Sequence, residues 1–279
     1  MNTIDPGTIS LGVDHLTELD LAPVAFTRAA AVAGFSSVSL RIIHIAGGVA
    51  AWADTPLNAP ALAREAADRG VGIHAIEAVA ITADLAARID ALKPQLQQGA
   101  ELGASLLYSF ADDTDVTRCA ESFALLAEAA AQFGLRTLLE PMPYRAIATL
   151  SQASQVVRES GTQGGLIVDV LHATRGGSDP RTLATLPHEQ LAVLQLCDAP
   201  ASAPAAPSPS GLHPLLHEAR FDRRQPGEGD LPIAGFAAAM PAGALITVEA
   251  PLASTSQPAE MRLGVALAAA RQAIAGDVQ

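Results

Sequence analysis

The chain has 279 residues, 49% of them hydrophobic, and a formal net charge of −12. Its 17 Lys and Arg residues are scattered rather than gathered in a stripe, which argues against a nucleic-acid partner. Two cysteines, Cys119 and Cys197, do not make a disulfide framework in a chain of this length, so we expect a cytoplasmic location. We expect no signal peptide and no membrane partner, because no basic N-terminal start precedes an apolar stretch and no apolar run is long enough to span a bilayer.

The predicted elements alternate between strands and helices along the whole chain. Short β-branched or apolar runs are followed by longer Ala- and Leu-rich helical patterns, which is typical of βαβ units and a parallel sheet. The predicted strands cover residues 8–13, 36–42, 71–78, 105–110, 136–141, 165–170, 191–198 and 244–250. The predicted helices cover residues 21–34, 59–69, 83–102, 115–133, 149–159, 180–186, 232–240 and 257–275.

The number of these units favours a closed barrel. Eight strand–helix units in a chain of about 250 residues is the usual size of a (β/α)8 barrel. A doubly wound open sheet has the same alternation, but no GxGxxG motif opens the first helix, as a dinucleotide-binding sheet would require. We therefore predict an α/β fold with a single TIM-barrel domain over residues 1–279, in which the Ala-, Pro- and Ser-rich residues of about 199–231 form a long loop.

Several predicted strands end in an acidic or amide residue. Glu140 ends LRTLLEP, Asp169 lies in LIVDV, Glu249 lies in ALITVEAP and Gln195 lies in the seventh strand. Because the C-terminal ends of barrel strands open onto one rim, these four side chains are expected to converge there. Converging carboxylates repel one another unless a cation lies between them, and hard oxygen ligands favour Mg²⁺ or Mn²⁺. The pattern predicts a divalent metal site, whereas pairing of the acids with neighbouring arginines is the alternative.

Other polar residues near these strand ends are candidate substrate ligands. His172 and Arg175 lie in DVLHATRGG, which we place in the loop after the sixth strand. His172 is a candidate general acid/base or hydrogen-bond donor, unless it is a structural histidine. Arg220 and Arg223 lie in the loop after the seventh strand, where they can bind a carboxylate, phosphate or hydroxyl group, unless acids of the same loop pair with them.

The earlier strands add three further candidates for substrate binding. Arg41 and His44 follow the second strand, and Glu77 lies in the third. A contact between Glu77 and the substrate and an internal salt bridge between Glu77 and Arg41 are equally compatible with the sequence.

These residues resemble the sugar phosphate isomerase/epimerase family of xylose isomerase-like TIM barrels. The resemblance covers essentially the whole chain and is concentrated in residues 135–251, where LLEP, the D-x-x-H of DVLH and VEAP match the family's motifs. It implies a metal ion that polarises a carbonyl or hydroxyl of the substrate, and it implies that Glu140 and Glu249 transfer a proton at the adjacent carbon, from opposite faces for epimerisation. Barrels of this group often pair, so a homodimer is also implied.

One position departs from the pattern of the sugar epimerases. They place His in a V-H-x-x-D pattern where this chain has Gln195 in LQLCDA. Glutamine at this position is similar to the dehydroshikimate dehydratases of the same superfamily, as are DVLHATRGGSDP and RFDRRQPGEG. That resemblance implies α-proton abstraction followed by loss of a hydroxyl group, with the arginines of the loop holding a substrate carboxylate.

The expected function is therefore that of a metal-dependent isomerase or epimerase acting on a small polyhydroxylated molecule, with a dehydratase as the alternative. The superfamily's apurinic-site endonucleases need a His-rich zinc site and a cationic surface. This chain fits that class poorly, because few of its 7 His lie at strand ends and its net charge is −12. A catalytically inactive scaffold is disfavoured because all four predicted ligand positions carry oxygen donors.

Overall fold

The computed structural model describes residues 10–43, 52, 56–251 and 256–276. Its strands form a closed barrel in which each strand lies parallel to the next and β8 pairs with β1. The strands are β1 (Gly12–Val13), β2 (Ser37–Arg41), β3 (Gly72–Ile81), β4 (Leu106–Ala111), β5 (Arg136–Leu139), β6 (Gly165–Asp169), β7 (Leu191–Leu196) and β8 (Leu245–Val248). The predicted (β/α)8 barrel fold is confirmed.

Helices surround the barrel and connect its strands. They are α1 (Pro23–Ala33), α2 (Ala59–Asp68), α3 (Leu85–Leu102), α4 (Val116–Ala131), α5 (Leu150–Glu159), α6 (Val170–Arg175), α7 (Pro180–Leu183), α8 (Pro214–Phe221), α9 (Ile233–Ala239) and α10 (Ala259–Ala275). Gly34 ends α1 with a φ of 93°, a left-handed conformation that glycine adopts without steric cost. Within the described ranges, no helix combines the length and the apolar character that crossing a bilayer requires.

Two helices occupy segments that the sequence analysis predicted as loops. Helix α6 follows β6 directly, and the Asp169 carboxylate caps it by accepting a hydrogen bond from the backbone N–H of His172 at 2.8 Å. Helix α8 lies inside the predicted loop of residues 199–231. Both helices are short, and α8 is held by a salt bridge between its Glu218 and Arg175 of α6. This contact joins distant segments, so the local sequence pattern does not reveal it.

The barrel interior is packed with side chains rather than open. Ala75, Tyr108, Leu138, Ile167 and Val193, one from each of β3 to β7, form a buried apolar cluster inside the barrel. A much larger apolar layer separates the strands from the surrounding helices. In a barrel packed in this way, active sites lie at the C-terminal ends of the strands and not in the interior.

The register of the last strands determines which polar residues meet. Asp169 of β6 pairs with Gln195 of β7, Gln195 pairs with Thr247 of β8, and Thr247 pairs with Gly12 of β1. Residues paired across parallel strands point to the same face, so these side chains share the barrel interior. A side chain at Gly12 would not fit there, because its Cβ would lie 2.8 Å from Ser37 Oγ and 3.0 Å from Thr247 Cγ2.

His15 lies in the connection between β1 and α1, and its buried imidazole is neutral at neutral pH. Its Nε2 donates to the carbonyl of Leu21 at 2.9 Å, its Nδ1 accepts from the backbone N–H of Arg41 at 3.0 Å, and its ring stacks on Phe26 at 4.5 Å. Burial lowers the pKa of His15 to about 4, assisted by the charge of Arg41 and opposed by the Leu21 carbonyl.

We expect this histidine to make the fold sensitive to acid. The unfolded chain binds the proton near the ordinary histidine pKa and the folded chain only near 4, so stability is lost as the pH falls from 6.5 to about 4. At about pH 5 this single group should lower the free energy of unfolding by about 2 kcal/mol relative to about pH 7.5. Urea unfolding of His15→Asn at the two pH values should show a pH-dependent loss smaller than that of the wild type by this amount.

Phe26→Leu is the matched control for His15→Asn, because it removes the stacked ring and no titratable group. It should lower the free energy of unfolding equally at both pH values. An unchanged pH dependence in His15→Asn would contradict this account of the histidine.

Candidate active site and metal centre

The three acidic strand ends lie together at the mouth of the barrel. Glu140 follows β5, and its backbone N–H donates to the carbonyl of Ser109 at 2.8 Å. Glu249 follows β8, and its backbone N–H donates to the carbonyl of Leu196 at 2.9 Å. Asp169 is the last residue of β6. All three side chains are buried. An unpaired carboxylate at such a depth is strongly destabilising, so the groups that surround these acids decide whether they carry charge.

One group of side chains can hold a metal ion. A carboxylate oxygen of Glu140, a carboxylate oxygen of Asp169 and a ring nitrogen of His172 all lie within 4.8 Å of one another. His172 reaches this group because α6 begins directly after Asp169. The sequence analysis treated His172 as an acid/base and not as a metal ligand.

Gln195 also lies in the cluster, and Asp14 orients its side-chain amide. Gln195 Nε2 donates to Asp14 Oδ2 at 3.0 Å and lies 3.4 Å from Glu249 Oε1. The Asp14 carboxylate is fully buried and also accepts from His74 Nε2 at 3.1 Å and from Thr247 Oγ1 at 2.5 Å. With its nitrogen directed to Asp14, the amide leaves its oxygen available as a ligand.

The sequence analysis missed Asp14, although the signal was present. Asp14 directly follows the first predicted strand in LGVDH, just as Glu140 lies at the end of the fifth.

Arg223 bridges two of the three carboxylates. Its Nη1 donates to Asp169 Oδ2 at 2.5 Å, and its Nη2 donates to Glu249 Oε2 at 3.0 Å. Its Nε donates to the carbonyl of Ala219 at 2.8 Å, and the side chain is 3% exposed. The sequence analysis proposed Arg223 as a substrate ligand. In the structure its donors bind protein atoms, so pairing with an arginine partly explains how the acids are buried.

The pKa values of the acids reflect an excess of negative charge. Burial and the neighbouring charges of Glu249 and Asp169 raise the pKa of Glu140 well above its usual range. Burial raises the pKa of Glu249 to about 8 against the opposing effect of Arg223. Burial also disfavours ionisation of Asp169, but Arg223 and His172 together hold the pKa of that carboxyl below its usual value. A single guanidinium does not balance these acids, whereas a divalent cation would favour their ionised forms.

The residues present fit a divalent cation. The buried oxygens Glu140 Oε1 and Gln195 Oε1 have no hydrogen-bond partner among the described residues. A buried acceptor without a partner costs free energy, and coordination of a cation would satisfy it. Oxygen donors are those preferred by Mg²⁺ and Mn²⁺, and the additional nitrogen of His172 also suits zinc.

His172 connects Glu140 to a tyrosine at the rim. Its Nε2 lies 3.7 Å from Glu140 Oε1 and 3.4 Å from the Tyr144 hydroxyl. Burial lowers the pKa of His172 to about 4, although the charge of Asp169 opposes this effect, so the imidazole is neutral at neutral pH. A neutral imidazole beside a carboxyl group and a phenol can accept or donate a proton. Tyr144 was not predicted, although it lies in the loop that directly follows Glu140.

Arg175 binds Glu218 and not the acids at the strand ends. Its Nε and Nη2 donate to the two oxygens of Glu218 at 2.9 and 2.7 Å, and its other bonds go to the carbonyls of Pro200 and Ala201. These bonds attach α6 to α8 and to the loop after β7. Its role in substrate binding stays a prediction.

Arg41 and Glu77 form the internal ion pair that the sequence left open as one of two alternatives. Arg41 Nε lies 3.5 Å from Glu77 Oε2, and the buried Glu77 also accepts a hydrogen bond from Ser39. Arg220 is half-buried in α8 and has no hydrogen bond or ion pair with any residue of the described ranges. His44 lies outside the described residues, so its predicted role is not addressed.

The chain belongs to the xylose isomerase-like TIM barrel family, which it matches over residues 27–270. A stretch of 121 residues, 43% of this chain, is 36% identical to the 3-dehydroshikimate dehydratase of Pseudomonas aeruginosa. The match spans only 18% of that relative's length.

Two similar solved structures share the fold at low sequence identity. IOLI protein with a bound zinc atom has a TM-score of 0.70 at 17% identity, covering 94% of this chain and 95% of its own. D-psicose 3-epimerase has a TM-score of 0.66 at 16% identity, covering 96% of this chain and 97% of its own. These similarities extend over nearly the whole chain and concern its fold.

We expect Asp14 to control metal affinity through Gln195. Asp14→Asn should weaken binding of Mn²⁺ by about 10- to 100-fold, because the amide of Gln195 loses the anionic acceptor that orients it. Titration calorimetry of chelator-treated protein with manganese measures the dissociation constant. Asp113→Asn is the control, since Asp113 is a buried rim carboxylate paired with Arg118. Equal affinity in Asp14→Asn and the wild type would contradict the orienting role.

Proposed function

We propose that this protein is a divalent-metal-dependent enzyme that moves a proton at the carbon next to a carbonyl of a small, sugar-like polyhydroxylated molecule. Isomerisation or epimerisation is the first candidate for the overall reaction. The observation that carries the proposal is the buried Glu140, which has one oxygen without a hydrogen-bond partner among the described residues and a raised pKa. A carboxyl group with a free oxygen and a raised pKa is a stronger base than an ordinary carboxylate, so it is suited to accept and return a proton.

The metal ion would be Mn²⁺ or Mg²⁺, held by oxygens of Glu140, Asp169, Gln195 and Glu249. When bound, such an ion polarises a substrate carbonyl and makes the adjacent C–H bond more acidic. Asp169 and Gln195 have no proton to exchange in this arrangement, because Asp169 is paired with Arg223 and Gln195 is an amide. Their part is to bind and to orient.

Glu140 and Glu249 differ in how free their oxygens are. Glu249 Oε2 accepts from Arg223 at 3.0 Å, and Glu249 Oε1 lies 3.4 Å from the Gln195 amide nitrogen. Among the described residues, the group beside the free oxygen of Glu140 is the neutral His172, whose Nε2 lies 3.7 Å away. The asymmetry favours Glu140 as the base that takes the proton from carbon. Glu249, with a pKa of about 8, is suited to supply or hold a second proton.

His172 and Tyr144 provide a place for a proton beyond Glu140. Their 3.4 Å contact continues from Glu140 toward the rim. Because burial lowers the pKa of His172 to about 4, the imidazole is suited to pass the proton from Glu140 on to a substrate oxygen and not to keep it.

A dehydratase reaction is the second candidate, and two observations favour it. The chain is 36% identical over 121 residues to a 3-dehydroshikimate dehydratase. Elimination of water also needs only one base, which fits a site in which Glu249 is engaged by Arg223. In this reaction Glu140 would take the α-proton, the enolate electrons would form the new C=C bond, and the β-hydroxyl would leave as water with a proton from an acid.

Both reactions begin with removal of the α-proton, so we expect Glu140→Gln to slow this step strongly. Exchange of the substrate's α-hydrogen with deuterated solvent, followed by NMR, should fall by about 10²- to 10⁴-fold, because the proton acceptor is lost. A panel of sugars, inositols and cyclic hydroxy acids provides the substrates. Glu128→Gln on the exposed face of α4 is the matched control and should exchange at the wild-type rate. Exchange that survives in Glu140→Gln would show that another group is the base.

Glu249→Gln separates the two candidate reactions. In a two-base epimerase, this variant should still exchange the hydrogen of one epimer but form no second epimer, because each base serves one face. In a dehydratase with Glu140 as the base, it should still form product at a reduced rate. Ultraviolet absorption of a conjugated product, followed over time, identifies dehydration. A variant that exchanges nothing and forms nothing would contradict the assignment of Glu140 as the independent base.

A further inference from the structure

A histidine inside the barrel contacts the buried acid that orients Gln195. His74 Nε2 lies 3.1 Å from Asp14 Oδ1, and His74 Nδ1 lies 2.9 Å from Ser37 Oγ. Both His74 and Asp14 are buried. The contacts of Asp14 continue to Gln195, whose Nε2 donates to the other carboxylate oxygen, Oδ2, at 3.0 Å. A continuous line of hydrogen bonds therefore leads from Ser37 to Gln195.

An irregularity in β3 turns His74 into the barrel. The register of β3 against β2 shifts at His74, which is an extra residue between the paired positions Ile73 and Ala75. Ala75 belongs to the apolar cluster inside the barrel, and His74 also reaches an interior residue, Asp14. Successive residues of a regular strand face opposite sides, and a bulge removes this restriction. Bulges beside active sites re-aim single side chains in this way.

The space around His74 is filled. A Cβ atom at Gly12 would lie 3.1 Å from His74 Cε1 and 2.8 Å from Ser37 Oγ, so a side chain at this position would displace the ring or the hydroxyl. The ring of Tyr108 lies 6.1 Å from that of His74, measured between their centres. Glycine in β1 thus leaves the room that the line of hydrogen bonds occupies.

The contact with Ser37 favours one tautomer of His74. A carboxylate oxygen accepts hydrogen bonds and cannot donate them, so the bond to Asp14 needs a hydrogen on Nε2. In the neutral imidazole Nδ1 is then the acceptor, and the Ser37 hydroxyl donates to it. His74 therefore presents a fixed donor to Asp14.

This donor decides how the Asp14 carboxylate is turned. With Oδ1 bound to His74, Oδ2 is left for Gln195 and for Thr247 Oγ1, which lies 2.5 Å away. The Gln195 amide has its nitrogen on Asp14, and its oxygen has no hydrogen-bond partner among the described residues. Loss of the His74 donor would free one oxygen of the carboxylate and let the group turn away from Gln195.

We propose that His74 is a positioning residue, which keeps the oxygen of Gln195 free to bind the proposed metal ion by holding Asp14 in place. His74 acts through Asp14 and not by contact with the ion, as groups that orient the ligands of a metal do. The presence of the ion rests on the proposed function, whereas the orientation of the amide does not.

Two substitutions of His74 separate the roles of its two nitrogens. Glutamine places an amide nitrogen as many bonds from the backbone as Nε2, and asparagine places one as many bonds away as Nδ1. His74→Gln keeps a donor for Asp14 and should bind Mn²⁺ as the wild type does. His74→Asn loses that donor and should bind Mn²⁺ about tenfold more weakly or worse. Titration calorimetry of chelator-treated protein measures the dissociation constants.

A double-mutant cycle tests whether His74 acts through Asp14. Asp14→Asn already removes the carboxylate, so adding His74→Asn to it should weaken Mn²⁺ binding no further. His188→Asn is the control, because His188 is exposed and precedes the first residue of β7. It should bind Mn²⁺ as the wild type does. Circular dichroism and thermal unfolding verify that the variants are folded.

The side-chain amide of Gln195 gives a second readout, in metal-free protein. Its NMR signals are the pair that Gln195→Met removes from the nitrogen–proton correlation spectrum. His74→Asn should shift them, because the amide loses its fixed acceptor, and His74→Gln should leave them near their wild-type positions.

Three results would overturn the positioning role. They are wild-type Mn²⁺ affinity in His74→Asn with unshifted Gln195 signals, equal losses of affinity in His74→Asn and His74→Gln, and additive losses in the double variant. The proposed metal site is judged separately. A wild-type chain that binds no Mn²⁺, but whose Gln195 signals respond to His74→Asn and not to His74→Gln, would support the positioning role and count against the metal site.

Discussion

Repulsion among buried carboxylates is the interaction on which this site depends. Glu140, Asp169 and Glu249 approach one another at the barrel mouth, where low solvent exposure strengthens every electrostatic interaction. Arg223 offsets part of the negative charge by bridging Asp169 and Glu249. Burial and the charges of Glu249 and Asp169 raise the pKa of Glu140, whose Oε1 has no hydrogen-bond partner among the described residues. The same imbalance that destabilises the site also makes it able to bind a cation and to accept a proton.

The barrel supplies the framework that this imbalance requires. Its apolar interior cluster fills the space below the acids, and the strand register places Asp169, Gln195 and Thr247 on one face. The buried Asp14 then directs the Gln195 nitrogen away from the free amide oxygen. Asp169 is the last residue of a strand, and Glu140 and Glu249 each directly follow one and donate a backbone hydrogen bond to the neighbouring strand, which preserves the spacing of the acids despite their repulsion.

Two uncharged side chains lie beside the acids at the barrel mouth. His172 and Tyr144 are uncharged at neutral pH, because burial lowers the pKa of the histidine to about 4 and raises that of the tyrosine above its usual value.

The amino-acid sequence by itself determined the alternation of strands and helices and the acids at strand ends, because these patterns are local. It did not reveal the bridge from Arg223 to Asp169, 54 residues away, or the bond between Gln195 and Asp14, 181 residues away. Helices α6 and α8 were missed for the same reason, since α8 is held by Glu218 and Arg175 across 43 residues. Only the closed barrel brings such distant side chains within hydrogen-bonding distance, so tertiary structure decided which acids are paired and which remain free.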